Sequence, residues 1–243
     1  MSVTQMTKVL LKAVLPSSAL QRGVVVRSII WRISILLVRL GDAPVPRRTV
    51  LRGAHFGWGN EGYSATVPLL REILRRANEC DGDVIEAGSG LSTVLLSYCL
   101  PEHRRLLAFE NDAEWTDFVN GQCGPRRSLP VVHSPLIDHQ TYVWYQLPLE
   151  LEDMQVGLFV CDGPPGRSKG GRYGGLPQLH RWLSPGAVVI LDDVERDSET
   201  DVIDRWKVEF GLDALRFESA GREYAVGQLP IIDHADASTS GCQ

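Results

Sequence analysis

Five acidic residues stand at the ends of apolar runs. Glu86 closes V-I-E and is followed by Ala87-Gly88-Ser89-Gly90. Glu110 closes L-L-A-F-E, 22 residues after Gly88. Asp162 closes V-G-L-F-V-C-D, and Asp192 and Asp193 close A-V-V-I-L-D-D. Glycines at 88 and 90 let the backbone turn sharply and approach a ligand. A dinucleotide fingerprint would need glycine at position 93, where Thr93 stands. A carboxylate at Glu86 would repel a pyrophosphate and suits a cationic ligand instead. Glu110 is placed to accept the hydroxyls of a ribose. Asp162, Asp192 and Asp193 converge if their strands are neighbours, roughly 5 Å apart. Three carboxylates repel one another unless something positive sits among them, and oxygen-only donors favour a hard cation such as Mg²⁺. The same residues allow a plainer arrangement, with Asp192 capping the next segment, Asp193 pairing with Arg196, or one Asp serving as a base without metal.

The elements that must position these groups alternate along the chain. Strand 84–87 precedes a helix over S-T-V-L-L-S-Y-C-L, and strand 106–110 precedes one over A-E-W-T-D-F-V-N-G. Strand 130–134 leads to a loop with Y-V-W-Y. Strand 156–162 leads through a glycine-rich loop to the helix L-P-Q-L-H-R-W-L. Strand 187–193 precedes S-E-T-D-V-I-D-R-W-K-V-E-F. Five such units imply an α/β fold, a doubly wound, mostly parallel sheet covered on both faces. A-L-R-F-E-S and R-E-Y-A-V-G-Q-L flank Ala220-Gly221 and read as a hairpin adding an antiparallel edge. Upstream, Tyr63, Val67, Leu70, Leu74 and Ala77 recur at helical spacing. Residues 41–48 read as a linker and 55–64, H-F-G-W-G-N-E-G-Y-S, as a glycine-rich loop able to form a lid.

The chain divides into a helical extension and linker (1–48), one domain (49–232) and a frayed tail (233–243). Residues 1–41 carry six Lys or Arg and no acid, which leaves 19 basic and 30 acidic residues for the remainder. That acidic domain argues against a nucleic-acid partner. The stretch 24–40 is apolar but holds three arginines, too short and too charged for a comfortable membrane span. It suits a helix packed on the domain or on a partner chain such as another copy, one lying on an anionic membrane surface, or a targeting sequence. Its three arginines do not share one helical face, which counts against the membrane surface. The five cysteines form no C-x-x-C pair. They fit a reducing, cytoplasmic setting without zinc.

A ligand bearing a sulfonium and an ammonium, with a ribose and no phosphate, suits Glu86 and Glu110 together. V-I-E-A-G-S-G-L-S-T, L-L-A-F-E-N-D-A-E-W, V-G-L-F-V-C-D-G-P-P-G and A-V-V-I-L-D-D-V-E-R, in that order, resemble a class I S-adenosylmethionine-dependent methyltransferase over about residues 55–230. The resemblance implies a Rossmann-like seven-stranded sheet with an antiparallel last strand. It implies that Glu86, Gly88, Ser89 and Gly90 line the methionine end, that Glu110 takes the ribose, and that Ser134 lies near the adenine. Trp58 could stack on the adenosine or the acceptor.

The acidic trio is similar to that of metal-dependent O-methyltransferases, which implies a divalent metal on Asp162, Asp192 and Asp193. In the catechol type a lysine follows the first metal Asp by three residues, and here that position is Pro165. Lys169 and His180 are the nearest substitutes, giving Asp162, Lys169 and His180 as the catalytic set. D-G-P-P-G and D-D-V-E-R-D-S-E faintly resemble glucuronoxylan methyltransferases, which hints at a glycan acceptor with arginines for a uronate. The expected activity is methyl transfer to a hydroxyl of a small molecule or glycan. A non-catalytic cofactor-binding scaffold, or the inert partner subunit of another methyltransferase, is the alternative, and an aminopropyltransferase would want acidic residues that D-G-P-P-G lacks.

Overall fold

The computed structural model describes residues 19–41, 43–60, 62–125, 130–219 and 221–231, with the side chains of 19–22 left aside. Residues 1–18, Ala220 at the expected hairpin link, and the expected tail with Cys242 lie outside the described residues. Three helices come first: α1 (Ala19–Leu40), α2 (Arg48–Trp58) and α3 (Val67–Glu79). The alternating part follows as β1 (Asp83–Ala87), α4 (Leu91–Cys99), β2 (Leu106–Glu110), α5 (Ala113–Gln122) and β3 (Val131–His133). A small hairpin, β4 (Leu136–Asp138) and β5 (Val143–Tyr145), precedes β6 (Val156–Cys161). The chain continues with α6 (Gly175–Leu179), β7 (Leu183–Asp192), α7 (Asp197–Phe210), β8 (Asp213–Ser219) and β9 (Arg222–Gln228).

Among the described residues, seven strands form one sheet in the order β3-β2-β1-β6-β7-β9-β8. β3, β2, β1, β6 and β7 pair in parallel, and β9 runs antiparallel to both of its neighbours. The expected hairpin forms, but its antiparallel strand is not the edge. β9 inserts between β7 and β8, and β8 takes the edge.

Strand alternation sorts the core. Ile85, Ala87, Phe109, Phe159, Val189 and Leu191 face α6, α7 and the small hairpin. Val84, Leu158, Val160, Val188 and Ile190 face the other side, covered by α1 to α4. α3 buries Leu69, Leu70, Ile73, Leu74 and Ala77 at helical spacing. Thr66 caps it, accepting from the Leu69 N–H, so Tyr63 falls outside the helix and is exposed.

The expected loop at 55–64 is helical as far as Trp58, ending at Gly59 in a left-handed conformation. Gly53 and Gly57 resemble breakers in sequence but are packing positions. A Cβ on Gly57 would stand 2.7 Å from the Trp31 backbone, and one on Gly53 would strike Ser34 Oγ. The backbones of α1 and α2 therefore cross in direct contact. α1 joins the domain core through Val38, Trp31 and Ile35. No described helix is long and apolar enough to cross a membrane. Cys80, Cys99, Cys123 and Cys161 are free thiols, and burial pushes Cys99 up to about 12.

Candidate active site

β1, β2, β6 and β7 all end at one edge of the sheet, and a cavity of about 690 Å³ opens there. Ligands of open α/β sheets bind at this edge. Gly88 adopts φ 84°, and a Cβ there would come 3.1 Å from the Gly163 nitrogen, so the two crossing loops touch backbone to backbone. Gly88, Ser89, Glu110, Tyr145 and Asp162 line the cavity, and Tyr63 stands at its rim.

At one end, Glu110 is a shaped acceptor. Its Oε2 accepts from the Ser89 N–H at 3.2 Å and from the Ser89 hydroxyl at 3.0 Å, while Oε1 accepts from the Asp112 N–H at 3.0 Å. These bonds fix the carboxylate between β2 and the glycine loop, with lone pairs still directed at the cavity.

Glu86 is placed differently from the expectation. Alternation sets it on the same face of β1 as Val84, under the first turn of α4, and it does not line the cavity. It is 1% exposed, and its two oxygens accept from the Ser92 and Thr93 hydroxyls. Thr93 Oγ1 in turn accepts from the Gly90 N–H at 2.9 Å. The carboxyl thus braces the glycine turn from below. Burial pushes it up to about 7, against the two hydroxyl bonds and with the Glu110 charge adding to the rise.

At the other end, Asp162, Asp192 and Asp193 converge, with one oxygen of each within 4.8 Å of the others. Parallel pairing of β6 and β7, with Cys161 opposite Leu191, sets their strand ends side by side. Asp193 adopts φ 60°, a left-handed conformation that Asp tolerates better than most residues. The positive charge among them comes from the protein itself. Arg172 Nη2 donates to Asp162 Oδ1 at 3.0 Å and to Asp193 Oδ2 at 2.7 Å, and Nη1 donates to the Asp192 carbonyl at 2.6 Å. Arg222 donates to Asp192 at 3.0 Å and Asp193 at 2.7 Å. Arg196 reaches Asp193 at 2.9 Å, the pairing its spacing allows.

Burial raises Asp162 well above the ordinary carboxylate value, with Arg172 opposing and Asp192 and Asp193 adding. Burial also raises Asp192. At Asp193 burial pushes upward too, but the guanidiniums of Arg172, Arg222 and Arg196 outweigh it and hold the group low.

This donor set does not fit a divalent metal. Arg172 bridges two of the three carboxylates, and Arg222 bridges Asp192 and Asp193. An added dication would meet the buried guanidinium of Arg172 and the partly exposed one of Arg222, and would be repelled by both. The predicted metal ligands are therefore a real cluster, filled by arginine.

The remaining expected site residues lie elsewhere. Lys169 Nζ pairs with Asp138 at 3.2 Å, outside the cavity lining. His180 is exposed and packs on Phe210, with ring centroids 5.3 Å apart. Neither lines the cavity. Ser134 is buried, with its hydroxyl near its own strand at Val132 O. Trp58 packs among Trp31, Trp115 and Phe118 and meets the site only through Trp115, whose Nε1 donates to the Ser89 carbonyl at 2.9 Å. Gly90 shapes the turn without lining the cavity.

Two groups at the site escape the sequence reading. Tyr145 closes Y-V-W-Y, a run expected to be a loop and found as strand β5. Arg222 lies on β9 and also donates to the Ser64 carbonyl at 2.9 Å, which ties the loop before α3 to the acidic cluster. Arg172, in the glycine-rich loop after β6, is one of the arginines the glycan resemblance offered for a uronate, and in the structure it pairs with Asp162 and Asp193.

No protein-family model matches the sequence, and no curated protein matches it. Solved structures do share the fold. An O-methyltransferase from Bacillus cereus in complex with SAH superposes with a TM-score of 0.52 at 14% identity, over 93% of this chain and 97% of that one. A SAH-bound methyltransferase from Podospora anserina gives 0.54 at 13% identity, over 83% and 94%. A protein from Corynebacterium glutamicum gives 0.55 at 14%, over 84% and 97%. The chain has the Rossmann-like fold of class I S-adenosylmethionine-dependent methyltransferases.

Proposed function

We propose that the protein is an S-adenosylmethionine-dependent methyltransferase acting on a hydroxyl oxygen of a small molecule or glycan that carries an anionic group. The observation that carries this reading is one cavity with Glu110 and Ser89 at one end and Asp162 at the other. S-adenosylmethionine supplies the methyl group, held on a sulfonium. Two of the solved neighbours hold SAH at sites of their own.

The chain's residues divide the work. Glu110, fixed by Ser89 and Asp112, accepts the ribose hydroxyls. Gly88 gives the ligand a backbone approach. Asp162 is half-buried, and burial raises its affinity for a proton, as a base meeting an alcohol requires. Arg172 holds Asp162 in position. Arg167 and Arg196 line the same cavity and favour a carboxylate or phosphate on the acceptor. No step runs through a metal, since guanidiniums supply the charge a metal would bring.

Calorimetric titration with S-adenosylmethionine, in EDTA and in Mg²⁺, tests the reading on three proteins. Wild type binds equally in both buffers. Glu110→Ala loses binding by about 10- to 100-fold, since hydrogen bonds to charged groups are worth about 1.5–3 kcal/mol. Asp162→Asn keeps binding. A folded wild type that binds in neither buffer overturns the proposal.

A further inference from the structure

α1 is apolar on two sides. Trp31, Ser34, Ile35 and Val38 pack inward, and the close crossing at Gly53 and Gly57 holds that face against α2. On the opposite side Ile29, Ile33, Leu36 and Leu40 recur at i, i+4, i+7 and i+11, with Leu37 beside them. These five are between 45% and 70% exposed, a continuous apolar stripe on a helix that the domain has no use for on that side. Arg32 and Arg39, seven residues apart, fall along one flank of it and are exposed. At its C-terminal end the stripe runs into a groove of about 350 Å³ between α1 and α4. Leu36, Leu40, Tyr98 and Leu100 line the groove, with Arg39 and Glu102 among them.

We propose that this face of α1 docks the protein on the surface of an anionic lipid bilayer. Charge selects this occupant over the others. Residues 1–41 contain no acid, so neither the segment 1–18 nor the same helix of a second copy can answer Arg32 and Arg39. Lipid phosphates and carboxylates can. The groove continues the stripe: Leu36 and Leu40 belong to both, so a bilayer resting on the stripe presents acyl chains to a mostly apolar slot whose wall also holds Arg39 and Glu102. The helix lies along the interface and does not span it, as its interrupting arginines require.

The test is co-sedimentation of the full chain with phosphatidylcholine vesicles, with and without phosphatidylserine, alongside the mass in solution by light scattering. Wild type sediments only with the anionic vesicles and is monomeric without them. Arg32→Gln with Arg39→Gln weakens binding about 25-fold, each arginine near an anionic surface contributing about a factor of five. Ile33→Asp with Leu36→Asp abolishes binding while the circular dichroism stays native, since both side chains are exposed. Failure of wild type to sediment with anionic vesicles overturns the proposal. So does a wild-type dimer that Ile33→Asp with Leu36→Asp converts to monomer, because the stripe then belongs to a second copy. Binding that survives both double substitutions also overturns it.

Discussion

Arg172 Nη2 sits 2.7 Å from Asp193 Oδ2, with the two side chains only 3% and 4% exposed. A pair so buried is costly to break, because the remaining ion keeps its desolvation penalty without its partner. Arg172→Ala is expected to destabilise the fold by about 3–5 kcal/mol. It should also open the acidic trio to cations. Thermal unfolding checks both: Mg²⁺ leaves the wild-type midpoint unchanged and raises that of Arg172→Ala. A wild-type midpoint that climbs with Mg²⁺ would restore the metal reading of Asp162, Asp192 and Asp193.

Glu86 makes stability depend on pH. Its carboxyl titrates at 4.5 when solvated and at about 7 in the fold. Below pH 4.5 both states are protonated and nothing is lost. As pH rises, the unfolded chain releases its proton first, so stability falls through the window from 4.5 to 7 and levels off above it. The loss amounts to about 3 kcal/mol. Glu86→Gln removes that slope, and denaturant unfolding of both proteins at pH 5 and pH 8 measures it. Equal slopes in the two proteins would show that Glu86 is ionised where it sits.

α1 is part of the fold. Trp31 packs at a tilt against Trp58, with ring centroids 5.3 Å apart, and donates from Nε1 to Gln122 Oε1 at 3.1 Å. Trp31→Ala is expected to cost about 3 kcal/mol, the low end for a large aromatic side chain, since Trp31 is half-buried. Urea unfolding gives the value. A loss under 1 kcal/mol would make α1 a detachable arm.

Lys169→Ala and His180→Ala are expected to leave turnover within about two-fold, as surface substitutions do. Steady-state rates decide it. A hundred-fold fall in either would return that residue to the catalytic set.

Much of this was written in the sequence in readable form. Apolar runs closed by Glu110, Asp162 and Asp192 gave the strands and put their acids at one edge, because alternation and parallel pairing are local rules. The orientation of Glu86 was equally legible. It shares a parity with Val84, and the hydroxyls of Ser92 and Thr93 lie just ahead on α4. What stayed hidden depends on distance in the chain. Arg222 meets Asp192 across 30 residues, and no spacing rule announces that. α2 was masked by Gly53 and Gly57, whose role is set by a partner helix and not by their own propensity. The place of β9 between β7 and β8 is a choice among pairings that both strands' patterns permit.

That insertion has a consequence for how the protein is made. β9 is translated after every other strand of the sheet, yet it lies inside the sheet and carries Arg222 to Asp192, Asp193 and Ser64. Until it arrives, β7 has an open edge, the two aspartates lack one of their cations, and the loop at Ser64 is untethered. Site assembly and completion of the sheet are therefore a single event. A sheet without β9 cannot offer the finished cavity, so occupancy of the cavity is itself a report that β9 has docked.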